Sequence, residues 1–415
     1  MLRNYLLTAW KVFMRRKLFT AINLACIVLT LVILMVITAM LESAFHPRGV
    51  EGKSARYLQV MNVRMESPDG GSVHKSPLGF RLIDQYLKPI AGVERVAALT
   101  SADPVSVYQG QQVSTLEMRR VDADYWKVLD FTLLAGRLPT AQDDVDARQV
   151  AVINRSSANQ LFGGLPAASI GQRIDVGGQS FEIVGVVDNA RHLNAYGDLW
   201  APISTFPSSG YRQQLTGSFS ALILAHKASD LARIQREVAR IASGVVSDDP
   251  ARLKTVFFWA DSKLDLFARG TVGSERTADS GAAKLLAVLC VAMVLFMLLP
   301  ALNLVNLNTG RILERQTEIG VRKAFGATSA TLAGQLIVEN ILLCLAGGLI
   351  ALGATAGVLA WIEAASLIPY LKIEMDWAVF GYGMVLATVF GLLSGVLPAW
   401  NMSRLDPVHA LKGNT

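Results

Sequence analysis

"RILERQTEIGVRKAFGATSA", residues 311–330, decides how the chain is laid out. It carries Arg311, Glu314, Arg315, Glu318, Arg322 and Lys323, yet it stands between two long apolar runs, Leu285–Asn308 and Leu332–Trp361. Leu18–Leu41 and Trp377–Trp400 are two further runs of the same kind. Each is about as long as the ~20 apolar residues that span a bilayer. A chain of 415 residues that is 52% hydrophobic and 17% charged is too apolar for an ordinary soluble protein, and these four runs account for the excess. The sequence therefore predicts four transmembrane helices. The first follows Arg15, Arg16 and Lys17 but is longer than the apolar core of a secretory signal, and "ITAMLESAF" offers only an ambiguous cleavage site, so it reads as a retained helix.

Lys and Arg set the orientation. Arg3, Lys11 and Arg15–Lys17 precede the first span, the basic residues of 311–323 separate the second from the third, and Arg404 and Lys412 follow the fourth. These three segments are expected in the cytoplasm. "EAASLIPYLKIEMD" (363–376) holds a single Lys and suits the opposite side. The net charge of +6 is then mainly positive-inside bias, which argues against a nucleic-acid partner. Before the first span, Leu2, Tyr5, Leu6, Trp10 and Phe13 recur at helical spacing, as in a helix lying in the interface or in a plain extension of the span.

Between spans one and two lies a polar region of domain size, residues 43–280, placed outside the cytoplasm by this topology. "ARYLQVMNV" (55–63) and "VERVAAL" (93–99) read as strands, and "SPLGFRLIDQYL" (76–87) as a helix with Ser76 as N-cap and Pro77 at its first position. "GSFSALILA" (217–225) and "LKTVFFWA" (253–260) read as strands around a helix, "SDLARIQREVARIASG" (229–244), whose Leu231, Ile234, Val238 and Ile241 share a face. Two βαβ-like units thus bracket the region, as in a split, ferredoxin-like layer. Residues 101–215 read as a β-rich insertion. Its clearest piece, "RIDVGGQSFEIVGVV" (173–187), is a hairpin turning at Gly177–Gly178 with Phe181, Ile183 and Val187 on one face. The Gly-, Ser- and Thr-rich stretch Asp261–Gly281 reads as a linker to the second span.

Catalytic and metal motifs are weak or missing. "GKS" at Gly52–Ser54 is no phosphate loop, because Pro47 stands where the first Gly should be. His46, His74, His192, His226 and His409 lack metal-ligand spacing. Cys26, Cys290 and Cys344 all lie in apolar runs and read as packing residues. Within the spans, Glu339 and Asn340 suit a helix–helix hydrogen bond, and Gly353/Gly357 and Gly391/Gly395 have the G-x-x-x-G spacing of close helix packing. In 311–325, Glu318 and Arg322 are four apart, a helix-stabilising pair; Gly326 would end that helix and Thr328 or Ser329 cap the next. Periodicity alone leaves a solvated loop open.

"NLVNLNTGRILERQTEIGVRKAFGATSATLAGQLIVEN" (303–340) resembles the permease signature of the MacB/FtsX family of ABC transporters, also called type VII. Its strongest motif is "EIGVRKAFGAT" (318–328). The basic approach to span one, "GRLPTAQDDVDARQVAVINRSSANQLFGG" (136–164), "IGQRIDVGGQSFEIVGVV" (170–187) and "PAWNMSRLDPVHALKG" (398–413) agree in order, so the resemblance covers nearly the whole chain. His409 departs from the acidic residue usual in that ending. MacB carries a fused ATPase domain and this sequence holds none, so the likeness is to a permease without one.

The resemblance implies a membrane α-helical protein with four spans and a large α+β periplasmic domain between the first two. Its expected parts are an interfacial helix (1–17), span one (18–42), a periplasmic domain (43–280), span two (281–308), a cytoplasmic coupling helix (309–327), span three (328–362), a periplasmic loop (363–376), span four (377–401) and a cytoplasmic tail (402–415). The periplasmic domain would divide into a porter-like part (43–100 and 216–260) and the insertion (101–215). By resemblance, Arg315, Glu318, Ile319, Gly320, Arg322, Lys323, Ala324 and Gly326 would meet an ATPase.

The chain itself would be non-catalytic and bind no cofactor, with ATP and Mg held by a separate cytoplasmic ATPase dimer. A second copy or a related permease, a periplasmic adaptor and an outer-membrane channel are the other implied partners. The expected setting is the bacterial inner membrane with both termini cytoplasmic. Nucleotide-driven motion would be transmitted to the periplasmic domain to export a periplasmic substrate such as a peptide, antibiotic or lipoprotein. The alternative is a regulator or sensor, for example of cell-wall hydrolases, that uses the same machine without transport.

Overall fold

The computed structural model describes residues 17–45, 49–190, 192–314 and 328–365, with positions 14, 321, 325, 377, 380–385, 388–389 and 392. It divides into two compact units, Ala44–Leu286 and a second made of Met1–Ser43 with Ala287–Thr415. Three long helices carry the apolar runs: α1 (Lys17–Phe45), α8 (Ala282–Glu314) and α9 (Ser329–Ala364). Among the described residues, Thr20–Ser43 and Ile337–Ala364 are long and apolar enough to cross a membrane, and α8 opens with a shorter apolar stretch, Ala282–Phe296. Phe380–Val385 is helical, but most of the expected fourth span, the interfacial helix, the loop 366–376 and the tail lie outside the described residues.

In the membrane unit, Ile27 and Leu31 of α1 pack with Leu343, Cys344 and Ala351 of α9. The close approach runs through Gly347, where a Cβ would come within 2.7 Å of Ile27. Among the described residues, nothing lies within 4 Å of a Cβ placed on Gly353 or Gly357, and Gly391 and Gly395 lie outside the described residues. Their spacing marks a surface that permits close approach and does not say which surface is used. Glu339 and Asn340 are buried, and the Gln335 amide donates to Glu339 at 3.2 Å.

The outer unit is α+β. Its strands are β1 (Tyr57–Val60), β2 (Asn62–Glu66), β3 (Val73–Pro77), β4 (Val93–Thr100), β5 (Asp103–Gln109), β6 (Gln112–Val121), β7 (Leu133–Gly136), β8 (Val150–Asn154), β9 (Arg173–Val176), β10 (Gln179–Val187), β11 (Leu199–Pro202), β12 (Phe219–Ala225) and β13 (Thr255–Phe257). Its helices are α2 (Phe80–Leu82, continued as a wider turn Ile83–Leu87), α3 (Tyr125–Val128), α4 (Ala141–Val145), α5 (Arg155–Phe162), α6 (Leu231–Gly244) and α7 (Lys263–Thr271).

The bracketing βαβ units are present. β1 and β2 are one strand broken at Met61: β1 pairs antiparallel with β12, β12 with β4, and β2 with β13, while Gln59 bridges Asp261. Helices α2 and α6 bury Leu82, Leu87, Ile234 and Val238 against Leu58, Val96, Ala221 and Ile223 of this sheet. The periodicity of α6 was legible because a surface helix must bury one stripe.

Two details differ from expectation. Ser76 and Pro77 do not start a helix; they end β3, which pairs with β2 through Val63↔Ser76 and Asn62↔Pro77. Proline is tolerated on such an outer strand, and α2 begins only after Gly79. Second, only Thr255–Phe257 of "LKTVFFWA" is strand, within a separate three-stranded sheet ordered β13-β2-β3.

The segment 101–215 does not form a sheet of its own. One sheet runs β1-β12-β4-β6-β11-β8-β10-β9-β5, and it crosses from the bracketing part at Leu99↔Val121. The β9–β10 hairpin turns at Gly177 (φ 56°) and Gly178 (φ 79°), the two positive φ values a tight two-residue loop needs. Phe181 and Ile183 share a core, but Val187 belongs to another. A register shift between Ile183 and Gly185 inverts the alternation, so Val186 joins Phe181 and Ile183, whereas Val184 and Val187 face the opposite cluster. At the bulge a Cβ on Gly185 would lie 2.2 Å from the Arg137 carbonyl oxygen.

Candidate functional site

Arg315, Glu318, Ile319, Gly320, Arg322, Lys323, Ala324 and Gly326 all lie outside the described residues. Their flanks are defined. Val321 is helical, Phe325 is 88% exposed, and the Thr328 hydroxyl accepts the Thr331 N–H at 3.3 Å as the N-cap of α9.

A second site is formed where the outer unit takes up the chain leaving α1 and hands it to α8. The stretch after β13 is ordered. Ser262 and Asp265 form a capping box at the start of α7, the hydroxyl accepting the Asp265 N–H and the carboxylate accepting the Ser262 N–H. Arg269 of α7 reaches back to Asp261 with two hydrogen bonds of 2.8 and 2.9 Å. Its guanidinium also donates to the carbonyls of Ser274 (2.6 Å), Thr277 (2.8 Å) and Ala278 (3.3 Å), folding the loop around itself. A guanidinium suits this task because its planar fork offers five donors.

The Ser280 hydroxyl donates to Asp265, and a Cβ on Gly273 would lie 2.1 Å from the Ser280 carbonyl oxygen. α8 starts two residues later. Burial raises the pKa of Asp261, and the bonds from Arg269 oppose that rise. The stretch read as a linker from its Gly, Ser and Thr content is therefore a tied knot, gathered around Arg269 and held to β2 and β3 by Glu275 and Arg276 as well.

The chain emerging from α1 enters the same structure. The Phe45 ring meets Phe267 of α7 edge-on at 5.7 Å. Glu51 is buried and ion-paired with Lys263, the first residue of α7. Glu51 also accepts the Asn194 N–H at 3.2 Å, and the Asn194 amide donates to Gln59 (3.0 Å) and to the Tyr57 hydroxyl (3.3 Å). The Tyr125 hydroxyl donates to the Asn194 carbonyl at 2.8 Å. Burial raises the pKa of both tyrosines and keeps each hydroxyl neutral, that of Tyr57 accepting from Asn194 and that of Tyr125 donating to it.

His192 sits against Gly49; burial depresses its pKa despite the attraction of Glu51, and its Nδ1 has no hydrogen-bond partner among the described residues. Through Asn194, the loop between β10 and β11 is thus tied to the segments beside both membrane helices. Among the described residues, no three His, Cys, Asp or Glu side chains come together as a metal site would require.

Sequence reasoning missed Glu51, Asn194, Asp261, Lys263 and Arg269. The capping-box spacing of Ser262 and Asp265 was the one local signal that a helix begins inside the presumed linker. The ion pair Glu51–Lys263 joins positions 212 residues apart (263 − 51), which no local pattern reveals.

Two family descriptions match the chain in succession: the MacB-like periplasmic core domain over residues 20–241 and the FtsX-like permease C-terminal region over residues 290–407. The chain is 25% identical over 338 residues to the uncharacterised ABC transporter permease YknZ of Bacillus subtilis, covering 79% of this chain and 77% of that protein. It is 26% identical over 294 residues to the macrolide export ATP-binding/permease protein MacB of Escherichia coli K12, covering 70% of this chain and 42% of MacB. A probable syringafactin export ATP-binding/permease protein, SyfD of Pseudomonas syringae, is 25% identical over 338 residues, which is 78% of this chain and 46% of SyfD. The chain thus spans less than half the length of the two fused relatives. Among solved structures, the extracellular domain of YknZ aligns with TM-score 0.37 at 18% identity, over 48% of this chain and 97% of that domain. The periplasmic region of MacB from Actinobacillus actinomycetemcomitans aligns with TM-score 0.39 at 16% identity, over 55% of this chain and 98% of that region.

Proposed function

The chain belongs to the ABC transporter permease family defined by a MacB-like periplasmic core domain and an FtsX-like permease C-terminal region, and from that premise we propose that it is the non-catalytic permease subunit of an ATP-driven exporter of periplasmic substrates. ATP and Mg are bound and used by a separate cytoplasmic ATPase dimer. Arg315, Glu318, Ile319, Gly320, Arg322, Lys323, Ala324 and Gly326, in a coupling helix over 309–327, meet that ATPase. A second permease copy, or a related permease, completes the membrane assembly, and an adaptor and outer-membrane channel receive the substrate.

The observation that carries this reading is the knot beside the membrane helices. A flexible linker of this length would absorb a displacement of α8. Asp261, Glu51, Lys263 and Arg269 instead tie the chain beside α1 and α8 to β1 and to the Asn194 loop. In this reading the knot is where a moving helix would act on the sheet, as mechanotransmission requires.

The similarity to MacB, a macrolide export protein, and to SyfD, a probable syringafactin export protein, favours transport over signalling. Deletion of the gene in its own host, with complementation by the native chain or by Glu318→Lys, tests this. Export predicts sensitivity to added antibiotics or retention of a secreted peptide, rescued by the native chain only. A division or cell-wall defect with unchanged efflux would assign the machine to regulation.

A further inference from the structure

Four rings meet at the junction of the bracketing part and the insertion. Phe80 of α2 and Phe206 each contact Tyr211 and Phe219 of β12, and these two contact each other, with centroids 5.2–5.8 Å apart. Phe219 is buried, whereas Phe80, Phe206 and Tyr211 keep part of their surface open. Three cations lie on this cluster: Arg120 of β6 at 4.5 Å from the Phe206 centroid, Lys88 at 5.3 Å from Phe80 and Arg212 at 5.5 Å from Tyr211. No other ring cluster among the described residues is so crowded with positive charge.

The balancing anions are incomplete. Lys88 has Asp84 and Asp122, both at 3.6 Å. Among the described residues, neither Arg120 nor Arg212 forms an ion pair; Arg212 donates only to the Tyr211 hydroxyl at 3.1 Å. The Arg120 Nε is buried without a hydrogen-bond partner, and burial lowers the pKa of this guanidinium with no carboxylate acting against it. Its sequence neighbour makes the contrast. Arg119 is buried on the other side of β6 and satisfied by the carbonyls of Thr100, Tyr196 and Leu193. A half-buried charge is ordinarily paired. Among the described residues, the fold supplies acceptors for Arg119 and none for Arg120.

The backbone around the rings is fixed in advance. A Cβ on Gly79 would lie 1.9 Å from the Gln214 carbonyl oxygen, and the Gly79 N–H donates to the Leu215 carbonyl at 2.7 Å. Leu215 is fully buried, and Arg81 holds the Gln213 carbonyl and Asp248. The segment carrying Phe206, Tyr211 and Arg212 is thereby pinned to the start of α2. Such preorganisation lowers the ordering cost of binding.

We propose that Phe80, Phe206 and Tyr211 with Arg120 and Arg212 form a binding site for a small organic anion, an aromatic or short acyl body bearing one carboxylate. The apolar body lies on the open ring faces, and the anionic group supplies the acceptors that Arg120 and Arg212 lack. As a substrate class this rests on the exporter reading; as a binding site it does not, because occupancy needs no ATP. Contacts from both the bracketing part and the insertion would let the bound anion hold the two together.

Photolabelling of the full chain in lipid nanodiscs with 4-benzoylbenzoate, mapped by peptide mass spectrometry, tests the site. The result expected is labelling concentrated in residues 80–88 and 206–219, competed by 4-phenylbutyrate and reduced at least tenfold when the neutral 4-benzoylbenzamide replaces the acid. Arg120→Gln with Arg212→Gln should reproduce that loss, and Arg120→Lys, which keeps the charge, should retain part of the labelling. The probe exchange uses the native chain, so it stands even where a variant fails to fold. Equal labelling by acid and amide, or labelling spread over the membrane helices alone, overturns the proposal. Labelling at the site in a chain that recruits no ATPase would overturn the exporter reading and leave the binding site standing.

Discussion

Asp143 shows how much one side chain can hold. Its carboxylate accepts from Arg137 at 2.7 and 3.0 Å and from the Thr140 N–H at 2.8 Å, completing a capping box at the start of α4. These bonds, that from Arg137 first, hold its pKa at about 2. A depressed carboxylate pKa contributes stability above the unfolded value of about 4, which is lost as pH falls toward 2. Asp143→Asn should therefore lower the stability of the outer unit by about 1–2 kcal/mol at pH 7, and the difference from the native chain should shrink between about pH 4 and pH 2. Thermal melting at the two pH values checks this; a difference unchanged at low pH would show that the charge is not the source. Gly79→Ala should cost about 3 kcal/mol, since its Cβ would meet backbone at 1.9 Å and backbone cannot yield as a side chain does. At this scale the sequence was legible where a residue acts on its neighbours, as at Gly177–Gly178, and misleading at Ser76–Pro77. That pair suits a helix start by local chemistry, but its pairing with β2 across a turn decided otherwise.

At the scale of elements, helix α6 and the β9–β10 hairpin were readable because their hydrophobic period is local. The bulge in β10 was not, since it is set by close contact between Gly185 and the Arg137 backbone. The ordered knot of 261–281 was hidden for a similar reason: its small polar residues are carbonyl suppliers to Arg269 rather than flexible spacers. Glu51 and Lys263 give the corresponding prediction. Removing one partner, as in Lys263→Met, leaves a buried uncompensated charge and should destabilise the outer unit by roughly 3–5 kcal/mol, whereas Lys263→Met with Glu51→Gln should recover most of that loss. Melting of the two variants in nanodiscs is the check. Equal destabilisation by single and double variants would mean that packing, not charge pairing, holds the joint.

For the whole molecule, the four apolar runs and their flanking charges conveyed the membrane α-helical class with its large α+β domain, because a bilayer imposes length and charge asymmetry on any chain that crosses it. The continuous sheet through the insertion was beyond reach, since strand order depends on pairings such as Leu99↔Val121 that no segment announces. The proposed ATPase contact would likewise be a property of the assembly. The measurement that tests the central claim most directly is purification of the tagged chain from its own host in mild detergent, with its partners identified by mass spectrometry. The account predicts a Walker-motif ATPase recovered with the native chain and lost with Glu318→Lys or Arg322→Glu while membrane insertion is unchanged. Absence of any ATPase, even after cross-linking through residues 311–326, or its undiminished recovery with both variants, would contradict it.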